Sequence, residues 1–152
     1  KACEICRTGM EKDTVRIKAL RDQLETELLK IEESYLNGNK ELRLPHVCNI
    51  SFKYVDGDAL LMGLNKNIAI SSGSACTSAS IEPSFVLKAL GLGDDLAHSS
   101  LRFGLSRFTT EEEINYTIEQ ITSTINKLRK ISPLWEMFKG GIDINAGAWA
   151  HH

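Results

Sequence analysis

Apolar residues recur at Cys3, Cys6, Met10, Ile17, Leu20, Leu24, Leu28 and Ile31, mostly three or four apart, with charged residues filling the positions between. This period predicts a long amphipathic helix whose stripe faces a core. Gly9 and Asp13 weaken its first third, and Asn37-Gly38-Asn39 is the run expected to end it. About 30 residues is long for one globular helix, so it is expected to run toward a further domain. From Val47 to Phe52 the period changes to two, with Cys48, Ile50 and Phe52 on one face and Val47, Asn49 and Ser51 on the other, which predicts a strand. Asp56-Gly57-Asp58 is a turn and cap signal before a short apolar helix through Leu60, Leu61 and Leu64. Ile68 to Ile70 reads as a brief strand. The small-residue loop from Ser71 to Ser80 leads to Pro83, which opens a helix carrying Val86, Leu87 and Leu90 and ending at Gly91.

Alternation returns at Leu101, Phe103 and Leu105, and it puts Arg102 on the opposite, polar face. Thr110 and Glu113 have capping-box spacing ahead of a helix whose stripe is Ile114, Ile118, Ile121, Ile125 and Leu128. Beyond Pro133 the tail holds both tryptophans and several glycines without a sustained period, and reads as peripheral structure or a docking segment. Helices alternating with strands predict a small α/β sandwich of the α+β kind, with a small sheet covered by the first and last long helices.

Composition narrows the function classes. The 152 residues are 42% hydrophobic and 25% charged, which suits one folded domain and no staple of disulfide or metal. With 18 basic against 20 acidic residues the net charge is -2, so nothing draws in nucleic acid or an anionic membrane. Apolar runs such as Ala59 to Leu64 are far shorter than the ~20 residues of a membrane span, and the chain reads as soluble and cytoplasmic. Lys1 stands where an initiator Met would, and helical character starts at once, as expected of a fragment.

The four cysteines divide by context. Cys3 and Cys6 form a C-x-x-C that reads either as half of a zinc or redox site or as packing, and their place on the helix stripe favours packing. Cys48 sits on the apolar face of its strand and reads as core. Cys76 lies in ten residues without one large side chain, where packing cannot account for it. A mobile backbone there suits a thiol that must take a group from one partner and give it to another, and an incidental Cys in a serine-rich connector is the plainer alternative. For Arg102 the residues alone favour an exposed ion pair. His98 has no metal or triad partner near it in sequence and reads as structural or surface.

The stretches SSGSACTSASIEPSFVLKALGL, HSSLRFGLSRFTTEEEI and SPLWEM with a terminal WAHH resemble the C-terminal part of a housekeeping cysteine desulfurase of the iron-sulfur assembly type, bacterial or mitochondrial. The resemblance extends over almost the whole chain, and the GSAC loop matches the scaffold-feeding subgroup where the sister group has GHHC. It implies a homodimeric pyridoxal-phosphate enzyme of the class V aminotransferase fold that converts L-cysteine to L-alanine. Cys76 falls on the persulfide-forming cysteine, which in some members also serves as a conditional ligand of a shared iron-sulfur cluster. Arg102 falls on the arginine that holds the substrate carboxylate. No residue here matches the lysine that bonds pyridoxal phosphate or the groups that hold its ring and phosphate, so the cofactor is expected in a large domain outside this chain, and the chain alone is expected to be inactive. The family's Arg-Phe-Ser-Leu-Gly-Arg reads Arg102-Phe103-Gly104-Leu105-Ser106-Arg107 here, which removes a hydroxyl at 104 and keeps both arginines. His151 and His152 match the native family terminus.

The implied organisation is a linking helix over residues 1–37, a small domain over 38–132 with the Cys loop at 71–80, and a docking tail over 133–152. In the tail, Trp135, Met137, Phe138 and Trp149 are the candidates for binding an iron-sulfur scaffold protein or other sulfur acceptors. Packing of Trp135 and Phe138 on the domain is the competing reading. The alternative to an enzyme part is a non-catalytic scaffold-docking fragment, which would not need the Cys76 thiol.

Overall fold

The computed structural model describes residues 1–72 and 84–142. The elements in order are α1 (Ala2–Leu28), β1 (Ser34–Leu36), β2 (Val47–Phe52), α2 (Gly57–Leu64), β3 (Ser71–Ser72), α3 (Phe85–Ala89), α4 (Asp94–His98), β4 (Ser100–Gly104), α5 (Glu111–Arg129) and α6 (Pro133–Lys139). The strands form one antiparallel sheet in the order β1-β2-β4-β3. Its apolar face, Cys48, Ile50, Phe52, Leu101 and Phe103, packs against Leu20, Leu24 and Leu28 of α1, Leu60 and Leu64 of α2, and Ile114, Ile121 and Ile125 of α5. The α/β sandwich expected from the pattern is therefore present, and the alternating positions of β2 and β4 point inward as their period requires. Both halves of the Thr110–Glu113 capping box form, at 2.9 and 3.2 Å.

α1 is shorter than the period suggested. It stops at Leu28, and the chain turns through Glu33, which has φ 56°. The Ser34 hydroxyl caps the end by donating to the carbonyls of Ile31 at 2.6 Å and Leu28 at 3.0 Å. Ser34–Leu36 then forms an edge strand on β2 that the sequence did not foretell. Gly38, with φ +86°, serves the turn after β1 and not the end of the helix.

Cys3 and Cys6 are exposed, against the packing expected of them. At ~1.5 Å per residue a helix of this length runs about 40 Å, whereas strands of five or six residues run about 20 Å. The first half of α1 therefore overhangs the sheet. Burial starts at Ile17, and Ile5, Met10 and Val15 are exposed with the cysteines. Asp13 pairs with Arg107, and Arg16 donates to the carbonyl of Thr109 at 2.7 Å, so the overhang is tied to the β4–α5 connection.

Ile68 to Ile70 is not a strand. The two-residue strand β3 follows it, while Ile68 and Ile70 pack half-buried against the core. Helix α4, also unforeseen, covers one end of the polar sheet face, where the Ser51 hydroxyl donates to the Leu96 carbonyl at 2.6 Å. The tail's first part is helical, with Ser132 capping α6 and Pro133 in its first turn. Phe138 stacks on Tyr54 at 4.8 Å between ring centres, Trp135 meets Tyr54 tilted at 6.0 Å, and Arg129 lies 4.3 Å from the Trp135 ring centre. The Trp135 and Phe138 rings lean on the domain yet stay half-buried, and no residue of α6 is fully buried. Trp149, His151 and His152 lie outside the described residues.

Candidate substrate-carboxylate site

The polar face of the sheet carries one cross-strand row. The register pairs Arg102 of β4 with Asn49 of β2 on one side and with Ser71 of β3 on the other. Asn37, just past β1, joins the row through its backbone N–H, which donates to the Asn49 carbonyl at 2.9 Å. Paired residues of an antiparallel ladder share a face, so Asn37, Asn49, Arg102 and Ser71 stand side by side, with the core on the other side. The Asn37 amide donates to Asn49 Oδ1 at 2.5 Å and to Ser51 Oγ at 2.8 Å. Arg102 is exposed, and its Nη2 donates to Ser71 Oγ at 3.3 Å. No carboxylate of the described residues pairs with it, so the ion pair that residue chemistry favoured is not seen there. A guanidinium so placed offers a planar donor fork to a carboxylate from solution.

The remaining sequence candidates fall elsewhere. Cys76 lies outside the described residues. Cys48 is buried, and loss of solvent, with the Glu25 carboxylate nearby, pushes its thiol up to about 12, so it stays protonated and unreactive at neutral pH. Cys3 and Cys6 are exposed on the overhang, and among the described residues no group of three or more His, Cys, Asp or Glu side chains could hold a metal ion. His98 is exposed at the end of α4. Arg107 is occupied by Asp13. Arg43 and Glu25 form a buried pair at 2.6 Å that anchors the β1–β2 connection to α1. Sequence reasoning missed Ser71 and Asn49 as neighbours of Arg102, because alternation assigns a residue to a face but not to a row.

Pyridoxal phosphate has no holding set among the described residues. None of their buried polar side chains is a lysine. One open groove of about 310 Å³ beside α5 is lined by Leu24, Ile70, Phe103 and Ile114, and its one charged group, Glu113, has the wrong sign for a phosphate. Among the described residues no helix is long and apolar enough to cross a membrane.

A family model described as Aminotransferase class-V matches residues 1–117. The chain is 59% identical to a cysteine desulfurase IscS of Pasteurella multocida and 58% identical to one of Shewanella baltica, in both cases over 99% of this chain and 37% of the relative. The chain thus spans 37% of the length of these curated relatives. A solved NifS-like protein from Rickettsia africae superposes with a TM-score of 0.69 at 30% identity, covering 78% of this chain and 31% of that one. A second solved NifS-like protein, at 24% identity and TM-score 0.70 over 82% of this chain and 31% of its own, shares the fold.

Proposed function

The chain belongs to the class-V aminotransferase family, and from that membership we propose that it is the sulfur-receiving C-terminal part of a pyridoxal-phosphate-dependent cysteine desulfurase. In this reading Arg102 binds the carboxylate of L-cysteine through its planar fork. The Cys76 thiolate takes the substrate sulfur: a sulfur–sulfur bond forms, the carbon–sulfur bond breaks, and the carbon keeps the electron pair and gains a proton. L-Cysteine leaves as L-alanine, Cys76 becomes a persulfide, and no outside oxidant is consumed. Activation of the carbon–sulfur bond falls to the cofactor-bearing remainder of the protein.

The observation that supports this reading most is the pairing of β3 with β4. Ser71 lies opposite Arg102 and Ser72 opposite Leu101, so the chain departs for Cys76 from beside the carboxylate-binding arginine. Four residue steps separate Ser72 from Cys76, and they reach at most about 14 Å even when extended.

Delivery is to an iron-sulfur scaffold protein or another sulfur acceptor, with Cys76 also a conditional ligand of the cluster being built, in a homodimeric cytoplasmic enzyme. The exposed apolar residues Ile131 and Leu134 beside and on α6 support docking near the tail. They also favour the second reading, a docking module without chemistry, which differs in having no use for the Cys76 thiol. The test is L-alanine release from L-cysteine. The full-length protein should release it, and this chain alone should release none and should gain no yellow colour with pyridoxal phosphate. Equal release by a full-length Cys76→Ser variant would leave the docking reading standing alone.

A further inference from the structure

Ser71 faces Arg102 across the β3–β4 pair, and the direction of its hydroxyl proton is settled locally. Ser71 Oγ lies 2.9 Å from the Ser72 carbonyl oxygen and donates its proton there. A carbonyl can only accept, so the lone pairs of Oγ are left for a donor, and Arg102 Nη2 lies 3.3 Å away. An exposed arginine otherwise samples many rotamers, all but one of which must be given up when a ligand is clamped. A neutral acceptor on one Nη holds the plane of the guanidinium without competing for its charge, as a carboxylate in the same place would. Asn49, on the other neighbouring strand, accepts from Asn37 through its Oδ1, and the side-chain hydrogen bond that Arg102 makes among the described residues is the one to Ser71.

We propose that Ser71 is a positioning residue that preorganises Arg102 for the substrate carboxylate. This rests on the reading of Arg102 given above. The contribution belongs to binding of any ligand carrying that carboxylate and not to the sulfur chemistry, so it should appear in KM and not in kcat.

The experiment uses the full-length enzyme and compares Ser71→Ala, Ser71→Thr, Arg102→Lys and the Ser71→Ala/Arg102→Lys double variant. L-Cysteine is the substrate, and cysteamine, which has the thiol and amine but no carboxylate, is the competing ligand. Ser71→Ala should raise KM for L-cysteine on the order of fivefold, in keeping with the modest net worth of one solvent-exposed hydrogen bond, with kcat within about twofold. The inhibition constant of cysteamine should stay unchanged. Ser71→Thr should restore KM, because it keeps the hydroxyl and suits a strand. The double variant should be no weaker than Arg102→Lys alone. If Arg102→Lys raises KM and Ser71→Ala does not, Ser71 has no positioning role while the reading of Arg102 stands. If Arg102→Lys leaves KM unchanged, that reading fails and takes this one with it. Equal weakening of L-cysteine and cysteamine by Ser71→Ala would also overturn the proposal, since it would trace to general damage at the strand.

Discussion

Gly57, in the first turn of α2, lies so close to His98 at the end of α4 that a Cβ on it would sit 2.1 Å from the His98 carbonyl oxygen and 2.8 Å from the carbonyl carbon. Both are backbone atoms and cannot swing aside. The close approach packs α2 directly on His98 and Ser99, the residues that lead into β4. Gly57→Ala should therefore destabilise the domain by about 2 kcal/mol or more through overpacking. Gly104, exposed in β4 and with nothing within 4 Å of an added Cβ, is the control, and Gly104→Ala should be close to neutral. Urea unfolding of the two variants beside the parent checks this, and equal midpoints would contradict it.

Arg102→Lys should weaken L-cysteine binding in the full-length enzyme. An ammonium is a point charge and cannot reproduce a two-pronged contact with a carboxylate. The expected loss is about 1.5 to 3 kcal/mol, the range for hydrogen bonds to a charged group, read from KM in steady-state kinetics. An unchanged KM removes Arg102 from the site.

The thiols should sort by burial. In the native protein at neutral pH, iodoacetamide should modify Cys3 and Cys6 and leave Cys48 untouched. The Cys48 thiol also sets a stability window. Its proton is held in the folded state up to about 12 and lost in the unfolded chain near 9.0, so the stability it contributes is complete below about pH 9 and falls as the pH rises toward 12. Cys48→Ala should lose stability less steeply over that interval. Modification of Cys48 as fast as Cys3 at pH 7, followed by peptide mass mapping, would show that the core is open.

The tail should behave as two parts. Trp135→Ala removes the tilted ring contacts with Tyr54 and Phe138 and the contact with Arg129, and should cost roughly 1 to 3 kcal/mol of stability. Deleting residues 143–152 leaves that cluster whole. The shortened full-length enzyme should keep L-cysteine turnover with a small thiol acceptor and, since Ile131 and Leu134 remain, lose part of its capture of the iron-sulfur scaffold protein. Normal capture by the shortened enzyme would assign docking elsewhere.

The parts of the fold that depend on local period were legible, and those that depend on what lies beneath an element were not. β2 and β4 alternate over enough residues to show which side chains face inward, and Arg102 was placed on the polar face by that alone. The Thr110 capping box is a local signal and formed as read. The α1 stripe keeps its period to the first turn, yet Cys3 and Cys6 are exposed because the sheet ends before the helix does. Ser34–Leu36 is too short for alternation to register and exists because β2 offers an edge to pair with. Ser71 became a neighbour of Arg102 only through strand register, which is a tertiary property and leaves no mark in a single sequence.

The measurement that bears most directly on the whole account is the location of the sulfur after one turnover. Full-length enzyme, given L-cysteine without reductant and then trapped with an alkylating agent, is digested and its cysteine peptides weighed. The account predicts that the peptide containing Cys76 gains the mass of one sulfur atom, with peptides of Cys3, Cys6 and Cys48 unchanged, and that Cys76→Ser keeps its cofactor absorbance and gains none. Sulfur found on Cys3 or Cys6, or persulfide formed at the normal rate by Cys76→Ser, would contradict it.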